Sequence, residues 1–262
     1  MAVIRLDLAY DGTGFRGWAR QRGARTVQGV IEDALARMLG PPPKLSVAGR
    51  TDAGVHAAGQ VASLVVPDEV DPARIQRMLN GVLTPEIVVR RARREPDGFD
   101  ARFSATGREY LYRLDTADVQ SPFDARYVWY RQGPLSAAAM RRAARTLVGE
   151  HDFASFCRAP QSGGGTVRHL RRLAVRRAGT RYDITAEANA FLHQMVRSLV
   201  GTLVAVGEGR IDPDSMGDVL AARRRGAAGP VAPAHGLTLV RVRYGRGRGD
   251  AGRPLTPSGR DR

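Results

Sequence analysis

Arg50 and Asp52 stand two residues apart in the stretch Ala48-Gly49-Arg50-Thr51-Asp52-Ala53-Gly54-Val55-His56-Ala57. Strand-like runs flank it, Leu45 to Ala48 before and Gln60 to Val66 after. If the chain is still extended here, residues two apart point to the same side. A guanidinium then sits beside a carboxylate and keeps it ionised. Gly54 lets the backbone turn without a Cβ clash, and loops held by a rigid scaffold are common places for chemistry. The competing reading is structural: Asp52 caps a turn and Arg50 is its solvated neighbour. Local chemistry leaves both open.

A second charge needs a partner. Phe191 to Val206 reads as a long, largely apolar helix, with His193 and Arg197 four residues apart on one face. A guanidinium there is costly to bury without an anion. Either Arg197 reaches solvent from the helix edge, or it meets a carboxylate brought by another element. The second case pairs Arg197 with Asp52. Tyr110 could offer an aromatic face to a base or sugar, or be one of several tyrosines packed on a sheet. His56 and His151 read more simply as turn or capping residues than as catalysts.

Composition narrows the partner. Lys plus Arg number 41 against 26 Asp plus Glu, a formal charge of +15, and Lys44 is the sole lysine. That excess predicts a polyanionic partner, most simply nucleic acid, bound more weakly as salt rises. Arginine also stacks on bases and forks onto phosphates; genomic base composition accounts for the choice of Arg over Lys without removing the charge. Hydrophobic content of 43% argues against wholesale disorder. Cys157 stands alone, so neither an intramolecular disulfide nor a cysteine-based zinc site is expected, and the histidines lack metal-ligand spacing. The N-terminus alternates from Ile4 instead of forming the apolar block of a signal peptide. No run reaches the ~18 to 20 apolar residues of a membrane span. A cytoplasmic protein without membrane association is the expectation.

The elements that must position these residues follow from periodicity. Ile4, Leu6, Leu8 and Tyr10 alternate as a half-buried strand. Asp11 to Trp18 follows as a glycine-rich loop read as exposing its aromatics and arginines. Val27 to Leu39 is a helix capped by Thr26, and Asp71-Pro72 starts another to about Asn80. With Ile87 to Ala92 as a strand, the order is β-α-β-β-α-β. The second half repeats it with insertions: strand Glu109 to Asp115, a helix capped by Ser136, strands Leu170 to Arg176 and Tyr182 to Ala188, the helix from Phe191, and strand Leu237 to Tyr244. Arg223-Arg224-Arg225 reads as the basic end of a short helix. The fold class is α+β: two ferredoxin-like halves, 1–105 and 106–245, sharing a largely antiparallel, continuous sheet, with helices on one side and a cleft between halves. Residues 246–262 read as a disordered basic tail.

Gly49 to His56 resembles the signature of the TruA family of tRNA pseudouridine synthases. Ordered matches run from about residue 3 to 244. They include Tyr10-Asp11-Gly12 with Phe15, Gly17-Trp18 and Gln21; Phe99 to Thr106; and Arg108 with Tyr110 and Tyr112. His151-Asp152-Phe153, Asn189 to His193 with Met195-Val196-Arg197, and Gly236-Leu237 complete the set. Pro160 to Val167 and the tail depart from it. Eight consecutive residues plus this ordered series are far more specific than one short motif.

The resemblance implies the pseudouridine synthase fold and a cofactor-free, metal-free isomerisation of uridine in the tRNA anticodon arm, at positions 38, 39 and 40. It makes Asp52 the nucleophile. Tyr110 would stack on the flipped uracil, Arg197 would pair with Asp52, Arg50 would help flip the nucleotide, and Leu237 would pack on the base. His56 joins the substrate-binding candidates. A homodimer holding the tRNA in a basic groove is also implied. Two rivals remain. A non-catalytic RNA-binding protein would be free to lose Asp52, Tyr110 and Arg197. A glycoside hydrolase usually needs two carboxylates, and the motif supplies one.

Overall fold

The computed structural model describes residues 1–41, 43–158 and 164–245. The tail 246–262 and residues 160–163 of the looser stretch lie outside these. The chain divides into two compact units: Met1–Thr106 together with the chain from Leu239, and Gly107–Thr238. The fold is α+β with mostly antiparallel strand pairing.

The first unit runs β1 (Ala2–Tyr10), α1 (Val27–Leu39), β2 (Ser46–Val47), β3 (His56–Val66), α2 (Pro72–Leu83) and β4 (Ile87–Glu95). Its strands lie in the order β4-β1-β3, with β2 on β3, and the pairs β1/β3, β1/β4 and β2/β3 are antiparallel. Alternation along β1 puts Ile4, Leu6 and Leu8 in the core, which Ile31 and Leu35 of α1 and Ile75 and Leu79 of α2 share. Each such side chain contributes roughly 1.5–3 kcal/mol by leaving water. Thr26 accepts from the Gly29 amide, and Asp71 from those of Ala73 and Arg74, so both expected caps form. On the outer side of β4, α2 supplies side chains as strand surrogates. Asn80 accepts from the Val89 amide at 2.8 Å and donates to the Val89 carbonyl at 3.0 Å. Gln76 donates to the carbonyls of Val89 and Arg90.

The second unit contains β5 (Ala105–Asp115), whose first two residues belong to unit one, then β6 (Trp129–Tyr130), α3 (Ala137–Leu147), β7 (Gly149–Asp152), β8 (Val167–Ala178), β9 (Arg181–Ala188), α4 (Met195–Gly207) and α5 (Met216–Ala221). Strand β10 (Leu237–Tyr244) passes from the second unit back into the first, where Gly59 of β3 lies against the Val240 carbonyl. The strands β5-β9-β8-β7 pair antiparallel, with β6 parallel to β5. Ser136 caps α3 through the Ala139 amide. Every residue of α4 but Arg197 is buried, as its near-continuous apolar sequence requires.

The start of α4 corrects the sequence reading. The helix begins at Met195, and Gln194 before it is left-handed at φ 62°. A right-handed helix cannot run through such a residue. Hydrogen bonds hold the preceding turn instead: Asn189 Oδ1 accepts from the amides of His169 and Ala190, and the His193 carbonyl accepts from Arg158. His193 therefore sits outside the helix, exposed, and shares no helical face with Arg197. The arginine run is also displaced: α5 ends at Ala221, and Arg223 has φ 46°. No helix among the described residues is long and apolar enough to cross a membrane.

Candidate active site

In the first unit, pairing of β2 with β3 stops at Val47, so the chain through Arg50 to Asp52 is a loop and not an extended strand. Its exposure still alternates: Arg50 is exposed, Thr51 buried and Asp52 half-buried. The Ala48 amide still donates to the Val61 carbonyl, and then the side chain of Gln60 replaces the ladder, donating to the Gly49 carbonyl at 2.8 Å. Thr51 hides its hydroxyl against that of Tyr10, 2.8 Å away. A turn closes the loop, with the Val55 amide donating to the Asp52 carbonyl and Gly54 at φ 77°. That φ is open to glycine and strained for other residues.

A second loop grips the first by backbone contacts. The amide of Trp18 donates to the Thr51 carbonyl at 3.0 Å, and that of Gly54 to the Phe15 carbonyl at 3.3 Å. The approach is close enough to exclude side chains. A Cβ on Gly12 would fall 2.1 Å from the Val55 carbonyl oxygen, and one on Gly17 would fall 2.8 Å from that of Thr51. The expectation that this glycine-rich loop exposes its aromatics is overturned. Trp18 is 0% and Phe15 3% exposed, because the loop folds inward onto the motif and α1, while Arg16 keeps to the surface with Thr13 and Gly14.

His56 begins β3 and is buried. Its Nδ1 lies 3.0 Å from the Gly12 amide and 3.1 Å from Asp11 Oδ1. It can accept from the first or donate to the second, but not both at once. In either state the ring ties the two loops together. His151 on β7 lies 3.2 Å from the Val148 carbonyl and packs edge-on against Phe153.

Tyr110, Arg197 and Leu237 all lie in the second unit. Tyr110 on β5 is buried, with Phe191 edge-on at 5.2 Å, and shares its strand face with Tyr112. Tyr112 is buried, its hydroxyl donating to the Pro233 carbonyl at 2.9 Å. Burial pushes its phenol well above the ordinary tyrosine value, partly offset by the Arg197 guanidinium. Arg197 is half-buried in the first turn of α4, where its Nε donates to the Ala232 carbonyl at 2.8 Å. Leu237 is buried at the head of β10.

Sequence reasoning missed the segment that Tyr112 and Arg197 both hold. Gly229 to Pro233 runs as a strap over α4. A Cβ on Gly201 would sit 1.7 Å from the Pro230 carbonyl oxygen, and Gly229 donates to Thr202 Oγ1 at 2.9 Å. The prolines Pro230 and Pro233 around Ala232, with Gly201 small in an otherwise bulky helix, were the available signal. Gln60 was missed too; a glutamine inside an apolar β3 was its signal.

The sequence model of a family described as tRNA pseudouridine synthase matches residues 8–104 and 143–245. A protein of Frankia casuarinae named tRNA pseudouridine synthase A is 52% identical over 92% of this chain and 89% of its own length. Proteins of the same name from Acidiphilium cryptum and Paramagnetospirillum magneticum are 46% and 43% identical, covering 91% and 96% of this chain and 95% and 99% of theirs. The family match takes in the whole Gly49–His56 loop and the glycine-rich loop that grips it, together with the start of α4 and its strap. With its sequence matched on both sides and across most of its length, this chain belongs to the tRNA pseudouridine synthase family.

Proposed function

We propose that this protein isomerises uridine to pseudouridine in the anticodon arm of tRNA, at positions 38, 39 and 40, with Asp52 as nucleophile. Family membership supports the reaction class. The observation that carries the residue assignment is the anchoring of the loop around Asp52. Gly49 and Thr51 are each fixed to β-strand side chains, while Asp52 between the anchored Thr51 and the Gly54 turn is half-buried. Holding a reactive group within a fraction of an ångström is how such loops accelerate chemistry.

The isomerisation breaks the N1–C1′ bond, turns the uracil and joins C1′ to C5. C5 gives up its hydrogen and N1 gains one, so the reaction is redox-neutral. A carboxylate serves it by forming a covalent intermediate or by stabilising cationic character at C1′. The uridine must first leave its stack, at a cost of about a few kcal/mol. Arg50, exposed beside Asp52, is assigned to handling the displaced nucleotide, and Arg197 to the counter-charge of the carboxylate. Tyr110 presents a ring in an apolar setting for the uracil, and Leu237 packs on the base. His56 supports the binding side of the loop. A homodimer spanning one tRNA belongs to the same proposal, and light scattering with and without tRNA tests it.

Mapping pseudouridine at nucleotide resolution in tRNA transcripts treated with the protein tests the main reading. Wild type should modify the anticodon arm, and Asp52→Asn should yield no product while still binding RNA. Full activity of Asp52→Asn would sink the assignment.

A further inference from the structure

Gln60, Tyr10 and Thr51 form a buried polar chain beneath the motif loop, and the accounting of its donors is constrained. The Val61 amide donates to Gln60 Oε1 at 3.1 Å, which fixes the orientation of the side-chain amide. Gln60 Nε2 then spends one hydrogen on the Gly49 carbonyl at 2.8 Å and directs the other at the Tyr10 oxygen, 3.3 Å away. Because Tyr10 is buried, the arrangement that leaves no phenol hydrogen stranded has Tyr10 donating to Thr51 Oγ1 at 2.8 Å. The Thr51 hydroxyl hydrogen is thereby directed elsewhere than Tyr10. Burial pushes the Tyr10 phenol up to about 12, against the lowering effect of its bonds to Thr51 and Gln60, so it remains a neutral donor at working pH.

From this geometry we infer that Tyr10 and Gln60 are positioning residues for catalysis. They clamp the backbone on both sides of Arg50 through Gly49 and Thr51, and so fix where the carboxylate of Asp52 stands. The inference rests on the catalytic reading of Asp52. Buried polar chains of this kind specify one arrangement when every member is satisfied. Neither Tyr10 nor Gln60 touches substrate in this role; each acts through the loop.

Single-turnover pseudouridine formation under saturating enzyme tests it, with tRNA Kd measured in parallel on the intact protein. Tyr10→Phe and Thr51→Val should each slow the chemical step about tenfold, the equivalent of one buried hydrogen bond, with Kd unchanged within about twofold. Thr51→Ser keeps the hydroxyl and should restore the rate. Tyr10→Phe combined with Thr51→Val should be no slower than the worse single change, since both break the same link. An Asp52→Asn control separates the two levels. If that variant is inactive but Tyr10→Phe and Thr51→Val turn over at the wild-type rate, the clamp is wrong and the catalytic reading stands. The clamp is equally wrong if Thr51→Ser is as slow as Thr51→Val, or if losses appear only in Kd. If Asp52→Asn is fully active, both fall together. Should Thr51→Val not fold, Tyr10→Phe alone decides by the same rate and Kd criteria.

Discussion

Arg197 and Ala232 hold each other twice: Arg197 Nε donates to the Ala232 carbonyl at 2.8 Å, and the Ala232 amide donates to the Arg197 carbonyl at 3.0 Å. One bond uses the side chain and the other the backbone, so the strap sets the direction of the guanidinium. Lysine has no Nε–H in that place and no rigid fork. Arg197→Lys is therefore expected to lose at least about tenfold in kcat despite keeping the charge. Arg197→Leu, which removes the charge as well, should lose at least as much, and turnover at the wild-type rate in either variant would detach this arginine from the site.

Two glycines offer opposite stability outcomes. Gly12→Ala places a methyl 2.1 Å from the Val55 carbonyl oxygen, which forces the two loops apart. It should destabilise by about 1–3 kcal/mol. Gly81 lies inside α2 with open space around its missing Cβ. Gly81→Ala should stabilise by about 0.5–1 kcal/mol through helix propensity and a stiffer unfolded chain. Urea unfolding of both variants checks the pair.

Alkaline sensitivity follows from Tyr10. Its folded-state value of about 12 stands above the ordinary 10.0, raised by burial and lowered in part by the bonds to Thr51 and Gln60. Below pH 10 both folded and unfolded chains carry the proton, and the stabilisation is intact. Between pH 10 and 12 the unfolded state ionises first, so stability falls with rising pH, by roughly 2–3 kcal/mol in all. Wild type should lose more of its urea midpoint between pH 9 and pH 11.5 than Tyr10→Phe does; equal losses would show that Tyr10 is not the group responsible.

Charge sets the behaviour of the RNA complex. With a formal +15, binding should weaken steeply with salt, about a thousandfold from 50 to 200 mM if some six phosphates are neutralised. Asp52→Asn should show the same slope, because it leaves the phosphate contacts alone. Filter binding across a salt series measures both, and a flat dependence would argue against a polyanionic partner.

What the sequence revealed is mostly local. Thr26, Asp71 and Ser136 were legible as helix caps because each bonds to amides two or three residues on. The helix Val27–Leu39 and the strand Leu237–Tyr244 have the bounds that their periodicity predicts. The failures depend on distant partners. Trp18 looks exposed in a glycine-rich loop until Thr51, 33 positions later in the chain, accepts from its amide. The apolar run from Phe191 reads as helix, yet Asn189 and Arg158 hold its first residues in a turn. Among the candidate residues, the motif marked Asp52 and Arg50 by their neighbours. The anchoring by Gln60 and by the strap at Ala232 is made with partners distant in the chain, and the sequence marks it only by a glutamine in an apolar strand and by the prolines around Ala232.

The side chains that α2 lays along β4 also bear on how copies of this protein can meet. An open strand edge is a template on which another chain can extend the sheet. Asn80 and Gln76 already occupy the backbone groups of Val89 and Arg90 that such a newcomer would use. Growth of the sheet past β4 would first have to displace four hydrogen bonds, and exposed Arg90, Arg91 and Arg94 on that strand would repel an identical edge. Self-association by strand addition is thus disfavoured on this side, and a strongly cationic chain is kept from polymerising there while it handles a long anionic ligand.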